Sequence, residues 1–358
     1  MMKTKKILAI GIVAMLVLGV GLAIAQAPSN GYVVINAPLS PEEREDVYHI
    51  PSGSIVYHSV DGITTVYTPD GKGILTAKDS EASMIPTTTG LKPATKIHQV
   101  PSGSFITDEE DFEFYAQDEK CELTGDTTAV YAPDGKCILT VIDAAPHVVP
   151  PQALQTYDAT YNGWVEQAND WTVSSLHKFY AYWHVPSSPP SPHSNVVDYL
   201  FNGIEPSTGG KIIQPVLGYF QNGNKWEAHA EYANSDGFVS DPIACSVGDT
   251  LRGAMLWSTS ESKWIVEVYN FNDGTCTWIK TDKIGVDNLV VFVTYEAYNI
   301  VNDNDAQGDA TFYNMEFKDK NGFIPTITWH EDIDEDAPLT GLNVDIESQS
   351  KVTLETAN

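Results

Sequence analysis

The sequence predicts an all-β protein, an antiparallel β-sandwich preceded by a small domain of repeated β-hairpins. Three observations support this prediction. Aromatic and β-branched runs alternate with turn clusters from residue 157 onward, helical periodicity is almost absent, and a pair of internal repeats precedes residue 150. Ten or more short strands without intervening helices are typical of a sandwich with broad antiparallel sheets.

Composition and charge limit the class of protein. The 358 residues suffice for one large or two modest domains, and 8 Trp, 17 Tyr and 12 Phe can bury a large core. Acidic residues outnumber basic ones by 48 to 20, which gives a net charge of −28. Such a surface repels phosphate backbones and anionic lipids, so we expect no nucleic-acid partner and no membrane contact beyond the N-terminus.

The first element, residues 1–25, is predicted to be an export signal. Lys3, Lys5 and Lys6 precede an uncharged run over residues 7–25 that ends in alanine-rich small-x-small sites. These are the parts of a secretory signal, so we expect the remaining chain to be secreted or extracytoplasmic. The alternative is an uncleaved membrane anchor formed by residues 7–25, because about 19 apolar residues can just span a bilayer.

The next element, residues 26–143, is predicted to be a duplicated β-hairpin domain. Its repeated segments are Ile50–Ser54 with Val100–Ser104, and Val66–Thr76 with Val130–Thr140. The second segment of each copy contains Asp-Gly, a strong hairpin signal. The offset between the copies grows from 50 to 64, which indicates an insertion around residues 108–125 of the second copy. The domain is either a pro-segment or an adhesion module.

A proline-rich linker at residues 144–156 and a sandwich at residues 157–358 complete the predicted organisation. The predicted sandwich strands are Lys178–Val185, Val196–Ile204, Lys211–Phe220, Lys225–Tyr232, Thr250–Thr259, Trp264–Phe271, Thr275–Thr281, Leu289–Ile300, Ala310–Phe317 and Leu342–Leu354.

The four cysteines fit an oxidising compartment. We predict the local pairs Cys121–Cys137 and Cys245–Cys276, since each keeps its bridge within one domain. A zinc site is the weaker interpretation, because no CxxC or CxxH spacing occurs.

Polar side chains inside apolar strands are the candidates for chemistry. Glu296 shares a strand face with Phe292 and Tyr298, where a carboxylate is costly unless it is paired or lines a cleft. Gln214 shares a face with Val216 in another apolar strand. A lone polar residue on an antiparallel strand ordinarily faces water, so these residues do not establish a site on their own.

A second pattern is the row Glu227, His229 and Glu231. Alternate residues of a strand project to the same side, so this row is either a metal-binding cluster or a solvated face of the sheet.

Eight fragments between residues 161 and 317 follow one order with characteristic gaps. They are Tyr161–Trp164, Phe179–Pro186, Phe201–Glu205, Ile212–Gln214, Trp226–Tyr232, Val247–Thr250, Tyr295–Ile300 and Thr311–Met315. Together they resemble the eqolisins, glutamic peptidases built on a lectin-like, concanavalin-like β-sandwich.

The resemblance implies an exported acid endopeptidase that acts on proteins or peptides and needs no metal or cofactor. Glu296 would activate a water molecule as general base and return the proton to the leaving amine. Gln214 would position that water and stabilise the oxyanion, because its amide both accepts and donates. The substrate-binding residues would be Phe201, Glu205, His229, Glu231 and Tyr298.

Departures from the family pattern concern the substrate pocket. Phe201 stands where the family has Trp, Glu205 where it has Asp, and Pro215 follows Gln214 where a small polar residue is usual. The alternative function is therefore a non-catalytic β-sandwich that binds glycans or a surface partner. The two functions differ in whether Gln214 and Glu296 face each other across an open groove.

Overall fold

Strands joined by turns make up nearly all of the described chain. The computed structural model describes residues 32–35, 48–109, 114–116, 119–121, 125–144 and 160–358. The predicted export signal and nearly all of the predicted linker lie outside these ranges. No helix within them is long and apolar enough to cross a membrane.

The strands, in chain order, are β1 (Tyr32–Ile35), β2 (Tyr48–Pro51), β3 (Ser54–His58), β4 (Ile63–Tyr67), β5 (Gly73–Lys78), β6 (Met84–Thr87), β7 (Gly90–Pro93), β8 (Ile97–Val100), β9 (Phe105–Asp108), β10 (Phe114–Ala116), β11 (Glu119–Cys121), β12 (Asp126–Tyr131), β13 (Cys137–Asp143), β14 (Tyr161–Ser175), β15 (Lys178–His184), β16 (Val197–Pro206), β17 (Ile212–Phe220), β18 (Lys225–Ala233), β19 (Gly237–Ser240), β20 (Ile243–Cys245), β21 (Thr250–Ser258), β22 (Lys263–Asn270), β23 (Cys276–Thr281), β24 (Asp287–Ile300), β25 (Ala310–Lys318), β26 (His330–Ile333), β27 (Asn343–Ser348) and β28 (Lys351–Glu355). Short 3-10 helices are Asp79–Glu81, Ala94–Lys96 and Asp303–Asp305.

Two broad sheets form a sandwich. The first has the order β2-β1-β8-β19-β18-β17-β16-β24-β14-β26, with β20 also paired to β18. The second has the order β27-β28-β25-β15-β21-β22-β23-β9-β12-β13-β3-β4-β5. One buried cluster joins side chains of both sheets, among them Leu200 and Leu217 from the first and Phe179, Met255 and Val266 from the second. The predicted all-β, largely antiparallel sandwich is confirmed.

The repeated segments fold as predicted into matching hairpins. β4 pairs with β5 and β12 pairs with β13, each across an Asp-Gly turn. The turn glycines Gly71 and Gly135 have φ of 81° and 82°, a left-handed conformation that glycine adopts without steric cost. The insertion in the second copy contains a further hairpin, β10 with β11.

The repeated region continues both sheets of the sandwich. β8 pairs in parallel with β19 in the first sheet, and β9 pairs in parallel with β23 in the second. The region therefore covers one edge of each sheet, whereas the sequence suggested a domain set apart by a linker.

The cysteines do not form the predicted bridge between Cys245 and Cys276. Cys137, Cys245 and Cys276 all carry free thiols. Cys245 lies in β20 of the first sheet, whereas Cys276 lies in β23 of the second. Their closeness in sequence therefore did not indicate that they lie on neighbouring strands. Burial raises the pKa of the Cys245 thiol to about 12, so this thiol is unreactive at neutral pH. The side chain of Cys121, the predicted partner of Cys137, is outside the described residues.

The close approach of the two sheets at Gly253 gives a first prediction. A Cβ there would lie 2.4 Å from Asn202 Oδ1, 2.5 Å from Pro215 Cγ and 2.6 Å from Trp183 Cη2. We expect Gly253→Ala to lower the free energy of unfolding by roughly 1–3 kcal/mol, because the facing sheet must shift. Urea denaturation measures this change. Gly285→Ala is the matched control, since nothing lies within 4 Å of its added Cβ; equal stability of the two variants would contradict the prediction.

Candidate active site

The residues predicted as the site share one face of the first sheet, on the side opposite the main core. Cross-strand register places them together: β16 pairs with β17 and β24, and β17 pairs with β18. The residues are Phe201, Glu205, Gln214, His229, Glu231, Glu296 and Tyr298. A separate apolar cluster on this face surrounds them and includes Tyr199, Phe201, Val216, Phe292 and Tyr298.

The register separates the two residues of the predicted dyad along the strands. Gln214 lies opposite Glu231 on β18, and Glu296 lies opposite Tyr199 on β16. Tyr199 in turn pairs with Gly218 of β17, four positions from Gln214 (218 − 214). Gln214 and Glu296 therefore lie on a diagonal of the face rather than directly opposite each other.

The β6–β7 hairpin covers this diagonal with its tip. The Thr88 hydroxyl donates to Glu231 Oε2 at 2.8 Å and accepts a hydrogen bond from Gln214 Nε2. The carbonyl of Thr87 accepts from the Tyr298 hydroxyl at 2.6 Å, and that hydroxyl also lies 2.5 Å from Glu296 Oε1. Both residues of the dyad are thus connected to adjacent residues of one hairpin.

Little space remains under the hairpin. The Tyr199 hydroxyl donates to the Pro86 carbonyl at 3.0 Å, which holds the strand leading to the tip. The cavity between the tip, His229 and Glu231 has a volume of about 10 Å³, which is about the space of one water molecule. An open groove between Gln214 and Glu296, the feature that separates the two functions considered above, is therefore not seen in the described chain, because the β6–β7 tip fills the space over this face.

Glu296 is a buried carboxyl group in an environment that favours its protonated form. Its side chain is 1% exposed, and its Oε2 atom has no hydrogen-bond partner. Burial raises the pKa of Glu296 well above its usual range, and the negative charge of Glu231 adds to this effect. The site therefore favours the protonated form of Glu296.

Glu231 is equally buried but its pKa is shifted in the opposite direction. Burial alone would raise it, yet the hydrogen bond and charge of His229, the Thr88 hydroxyl and the charge of Lys92 hold the pKa of Glu231 below its ordinary value. His229 Nε2 lies 3.6 Å from Glu231 Oε2. Two carboxyl groups on one face with pKa values pushed apart provide one proton donor and one fixed negative charge.

The amide of Gln214 is oriented by its neighbours. Its Nε2 donates to the Thr88 hydroxyl and lies 3.3 Å from Glu231 Oε2, so the NH₂ group faces the carboxylate. Its Oε1 atom is buried without a hydrogen-bond partner. An unpaired buried acceptor is costly unless something binds to it, and this atom is therefore available to accept a hydrogen bond from a water molecule.

The remaining predicted residues have different positions on the face. Phe201 is fully buried and packs edge-on against Trp164 and Phe292, which makes an apolar wall. Glu205 is partly exposed and pairs with Val290, six positions along β24 from Glu296 (296 − 290), so the structure does not bring it next to Glu296. Burial also raises the pKa of Glu205.

The alternative of a metal cluster in the row Glu227, His229 and Glu231 is not supported. Glu227 forms an ion pair with Lys225 at 2.8 Å, four residues from Glu231 along β18. In the part of the chain that the structure describes, the side chains that converge closely enough to bind a metal belong to a different group.

Sequence reasoning missed Thr88 and Tyr199. Thr88 is separated from Glu231 by 143 positions, so no local pattern connects them. One signal was available: the segment Met84–Pro93 lies between the two repeat copies and belongs to neither, which marks it as an addition with its own role.

Comparisons with known proteins give a distant link to the fold. No protein-family model matches the chain, and no curated protein matches it. It is similar to scytalido-glutamic peptidase with a transition-state analogue inhibitor, at 14% identity and TM-score 0.43, over 55% of this chain and 100% of that one. SCP-B, a member of the eqolisin family in complex with the tripeptide Ala-Ile-His, is similar at 15% identity and a TM-score of 0.42, with the same coverage of both chains. Peanut lectin with a 9-mer peptide is similar at 11% identity and a TM-score of 0.25, over 41% of this chain and 78% of that one.

Proposed function

We propose that the protein is a glutamic-type acid endopeptidase in which Glu296 and Gln214 hydrolyse peptide bonds of protein or peptide substrates. One observation carries the proposal: an extended peptide segment, the β6–β7 hairpin, already lies on this face. It is held by its Pro86 and Thr87 carbonyls and contacts both residues of the dyad directly or through Tyr298. A groove that binds its own backbone in this way can bind the backbone of a substrate.

The reaction begins when a substrate peptide replaces the hairpin. Water that enters with the substrate relieves the burial that favours the protonated form of Glu296, and the ionised form then takes a proton from one water molecule. The unpaired Oε1 of Gln214 accepts the second hydrogen of that water. The resulting hydroxide attacks the substrate carbonyl carbon, and the Nε2 group of Gln214 donates to the oxyanion. Glu296 then returns its proton to the amide nitrogen as the C–N bond breaks. Every proton is accounted for, and the two products are a carboxylic acid and an amine.

Glu231 acts in this scheme as a positioning residue. Its lowered pKa favours the ionised form, whose carboxylate holds the NH₂ side of the Gln214 amide. The amide oxygen is thereby directed toward the water and the nitrogen toward the oxyanion.

The same contacts favour a pro-segment role for the N-terminal region over an adhesion module. The hairpin fills the groove and donates a hydroxyl to Glu231, so a bound substrate and the hairpin exclude each other. The protein as described is then a latent form, exported if the predicted signal operates, that gains activity when the hairpin is displaced.

Thr88→Val tests this latency. The variant keeps the shape of the side chain but leaves Gln214 and Glu231 without their shared partner while the hairpin is closed. An unsatisfied buried polar group costs roughly 1–3 kcal/mol, so we expect the rate of proteolysis to rise roughly 5- to 150-fold. Thr89→Val is the matched control, because the Thr89 hydroxyl lies 3.2 Å from Thr87 Oγ1 within the turn.

The proposed function is tested on the full chain with acid-denatured protein as substrate. We expect new N-termini in mildly acidic buffer rather than at neutral pH, because the proposed reaction uses one carboxyl group first as a base and then as an acid. Mass spectrometry identifies the cleaved bonds. If neither the parent nor Thr88→Val cleaves at any pH, the protein is a binding module and the peptidase proposal fails.

A further inference from the structure

We propose that His58, His98 and Asp236 bind one divalent transition-metal ion, Zn²⁺ by the nature of its ligands, which fastens the N-terminal region to the sandwich. All three side chains are buried, and their ligand atoms lie within 4.8 Å of one another. His58 ends β3, His98 lies in β8, and Asp236 lies in the turn before β19. The cluster is separate from the dyad and takes no part in the proposed hydrolysis.

Hydrogen bonding shows which ring nitrogen of His58 carries a hydrogen. Thr64 Oγ1 donates its single proton to Asp79 Oδ1 at 2.8 Å, so it can only accept from His58 Nδ1, which lies 2.8 Å away. His58 Nδ1 therefore carries a hydrogen, which leaves Nε2 as the ring nitrogen that can bind a metal ion. A histidine whose second nitrogen is held in this way is the usual form of a metal ligand.

His58 Nε2 lies close to a carboxylate oxygen, Asp236 Oδ1. His58 Nε2 is buried, lies 3.1 Å from Asp236 Oδ1, and has no aligned hydrogen bond. His98 Nε2 forms a 3.3 Å hydrogen bond with the same oxygen. A nitrogen lone pair and a carboxylate oxygen repel each other in a buried site unless a proton or a metal ion lies between them.

The spacing of the donor atoms fits a tetrahedral ion. Zinc–nitrogen and zinc–oxygen bonds of about 2.0–2.2 Å give a tetrahedron with edges of about 3.3–3.6 Å. The observed separations of 3.1 and 3.3 Å are close to these edges. Two imidazoles and one carboxylate form a donor set that Zn²⁺ prefers over Mg²⁺ or Ca²⁺, which take oxygen ligands.

The two lysines near the cluster, Lys92 and Lys96, form their hydrogen bonds and ion pair with groups other than the three proposed ligand side chains. Lys92 Nζ donates to the backbone carbonyls of Asn234 and Asp236, and Lys96 Nζ lies 3.4 Å from Asp143 Oδ2. Their ammonium groups still oppose a second positive charge, so the competing occupant of the site is a proton on His58. The experiment separates these two occupants.

A bound ion would connect parts of the chain that are distant in sequence. His58 belongs to the second sheet, and His98 and β19 belong to the first. The ion would thus tie both sheets together at the point where the repeated region meets the sandwich, beside the segment Met84–Pro93 that covers the groove.

Metal analysis and titration of the full chain test the proposal. The protein is stripped with a chelator, dialysed, and titrated with Zn²⁺ by calorimetry and with Co²⁺ by visible absorption. We expect one ion per chain, the intense bands of four-coordinate Co²⁺, and a rise in Tm on adding Zn²⁺. His98→Gln and Asp236→Asn should each lower the affinity at least 100-fold, and His184→Gln, a solvent-facing histidine on β15, should leave it unchanged.

Two results would overturn the metal site. One is a parent protein that binds no stoichiometric ion and whose Tm is unaffected by Zn²⁺, which would leave the proton as the occupant. The other is unchanged affinity in both folded variants, as judged by circular dichroism. Metal content of the parent decides the question even if both variants unfold, and none of these readouts depends on peptidase activity.

Discussion

We expect Glu296→Gln to lower the turnover of proteolysis by about 10²–10⁴-fold, because it removes the group that we propose takes and returns the proton. The substitution barely changes the side-chain volume, and an uncharged amide replaces a carboxyl group whose protonated form the burial favours, so the fold should persist. Gln214→Ala should lower turnover by about 10²–10³-fold, as expected for loss of an oxyanion donor. Initial rates on acid-denatured protein measure both effects, with Thr88→Val as the background if the parent is latent.

Glu166→Gln is the matched control for the loss of a buried carboxyl group. Glu166 lies on β14, is 1% exposed, and has a pKa that burial raises to about 9. Its neighbours are in β27 and β28 rather than in the groove. Turnover should therefore stay near that of the parent. If folded Glu296→Gln cleaves as fast as the parent, the peptidase proposal is wrong.

The second large effect is a gain in stability as the pH falls from 7.5 to 6.5. Burial raises the pKa of Glu166 to about 9, so this group is protonated in the folded state and ionised in the unfolded state at these pH values. Burial shifts the pKa values of Asp198 and Glu296 in the same direction. The folded state binds more protons, and the free energy of unfolding therefore decreases as pH rises. Glu166 contributes about 1.4 kcal/mol per pH unit in this range, and the raised pKa values of Asp198 and Glu296 act in the same direction.

Between pH 6.5 and 7.5, the groups below, whose titration makes the free energy of unfolding rise with pH, contribute little. Burial lowers the pKa of His98, so its stabilising effect is lost only as pH falls below about 6.5, its value in the unfolded chain. Burial lowers the pKa of Lys92 to about 8, so its titration affects stability mainly above the window. Glu231 and Asp236 have lowered pKa values and act only in stronger acid.

Urea denaturation at pH 6.5, 7.0 and 7.5 measures the slope of the free energy of unfolding against pH. Glu166→Gln should reduce it by about 1.4 kcal/mol per pH unit, because the variant has no proton to bind at that position. Glu331→Gln, on the exposed surface of β26, should leave it unchanged. A stability that is constant or rises with pH across this window would contradict the assigned protonation states.

The sequence predicted strands well where apolar and polar residues alternate. The run Leu289–Ile300 became β24 (Asp287–Ile300), with Glu296 in the row where the pattern placed it. The long strand β14 was absent from the strands predicted by pattern, because Gln167 and Asp170 interrupt its apolar residues. These polar groups are buried with partners far along the chain, such as Asp332 for Gln167 and the backbone of residue 328 for Asp170.

Other boundaries depended on turns that the pattern did not resolve. The segment Leu342–Leu354 was predicted as one strand, but the structure divides it into β27 and β28 around Gln349. The Gln349 side chain accepts from the backbone of Ile327 and donates to the Pro325 carbonyl, which fixes the turn.

The candidate site was predictable only in part, for a similar reason. Motifs placed Gln214 and Glu296 on strands of one sheet, and the register confirms that they share a face. The hairpin contact at Thr88 and the cluster of His58, His98 and Asp236 depend on pairings across more than a hundred residues. Such contacts follow from topology, which a strand pattern does not specify.

The parallel pairings of β8 with β19 and of β9 with β23 have a consequence for any matured form. Release of the N-terminal region would bare the backbone amides and carbonyls along β19 and β23, and unpaired strand edges promote aggregation. β19 has only four residues, and β23 carries Lys280, features that disfavour pairing between molecules. If the proposed peptidase is matured in this way, it would thus stay dispersed in solution. The free edge of β19, which lies beside the site, would be available for an incoming substrate strand to pair with.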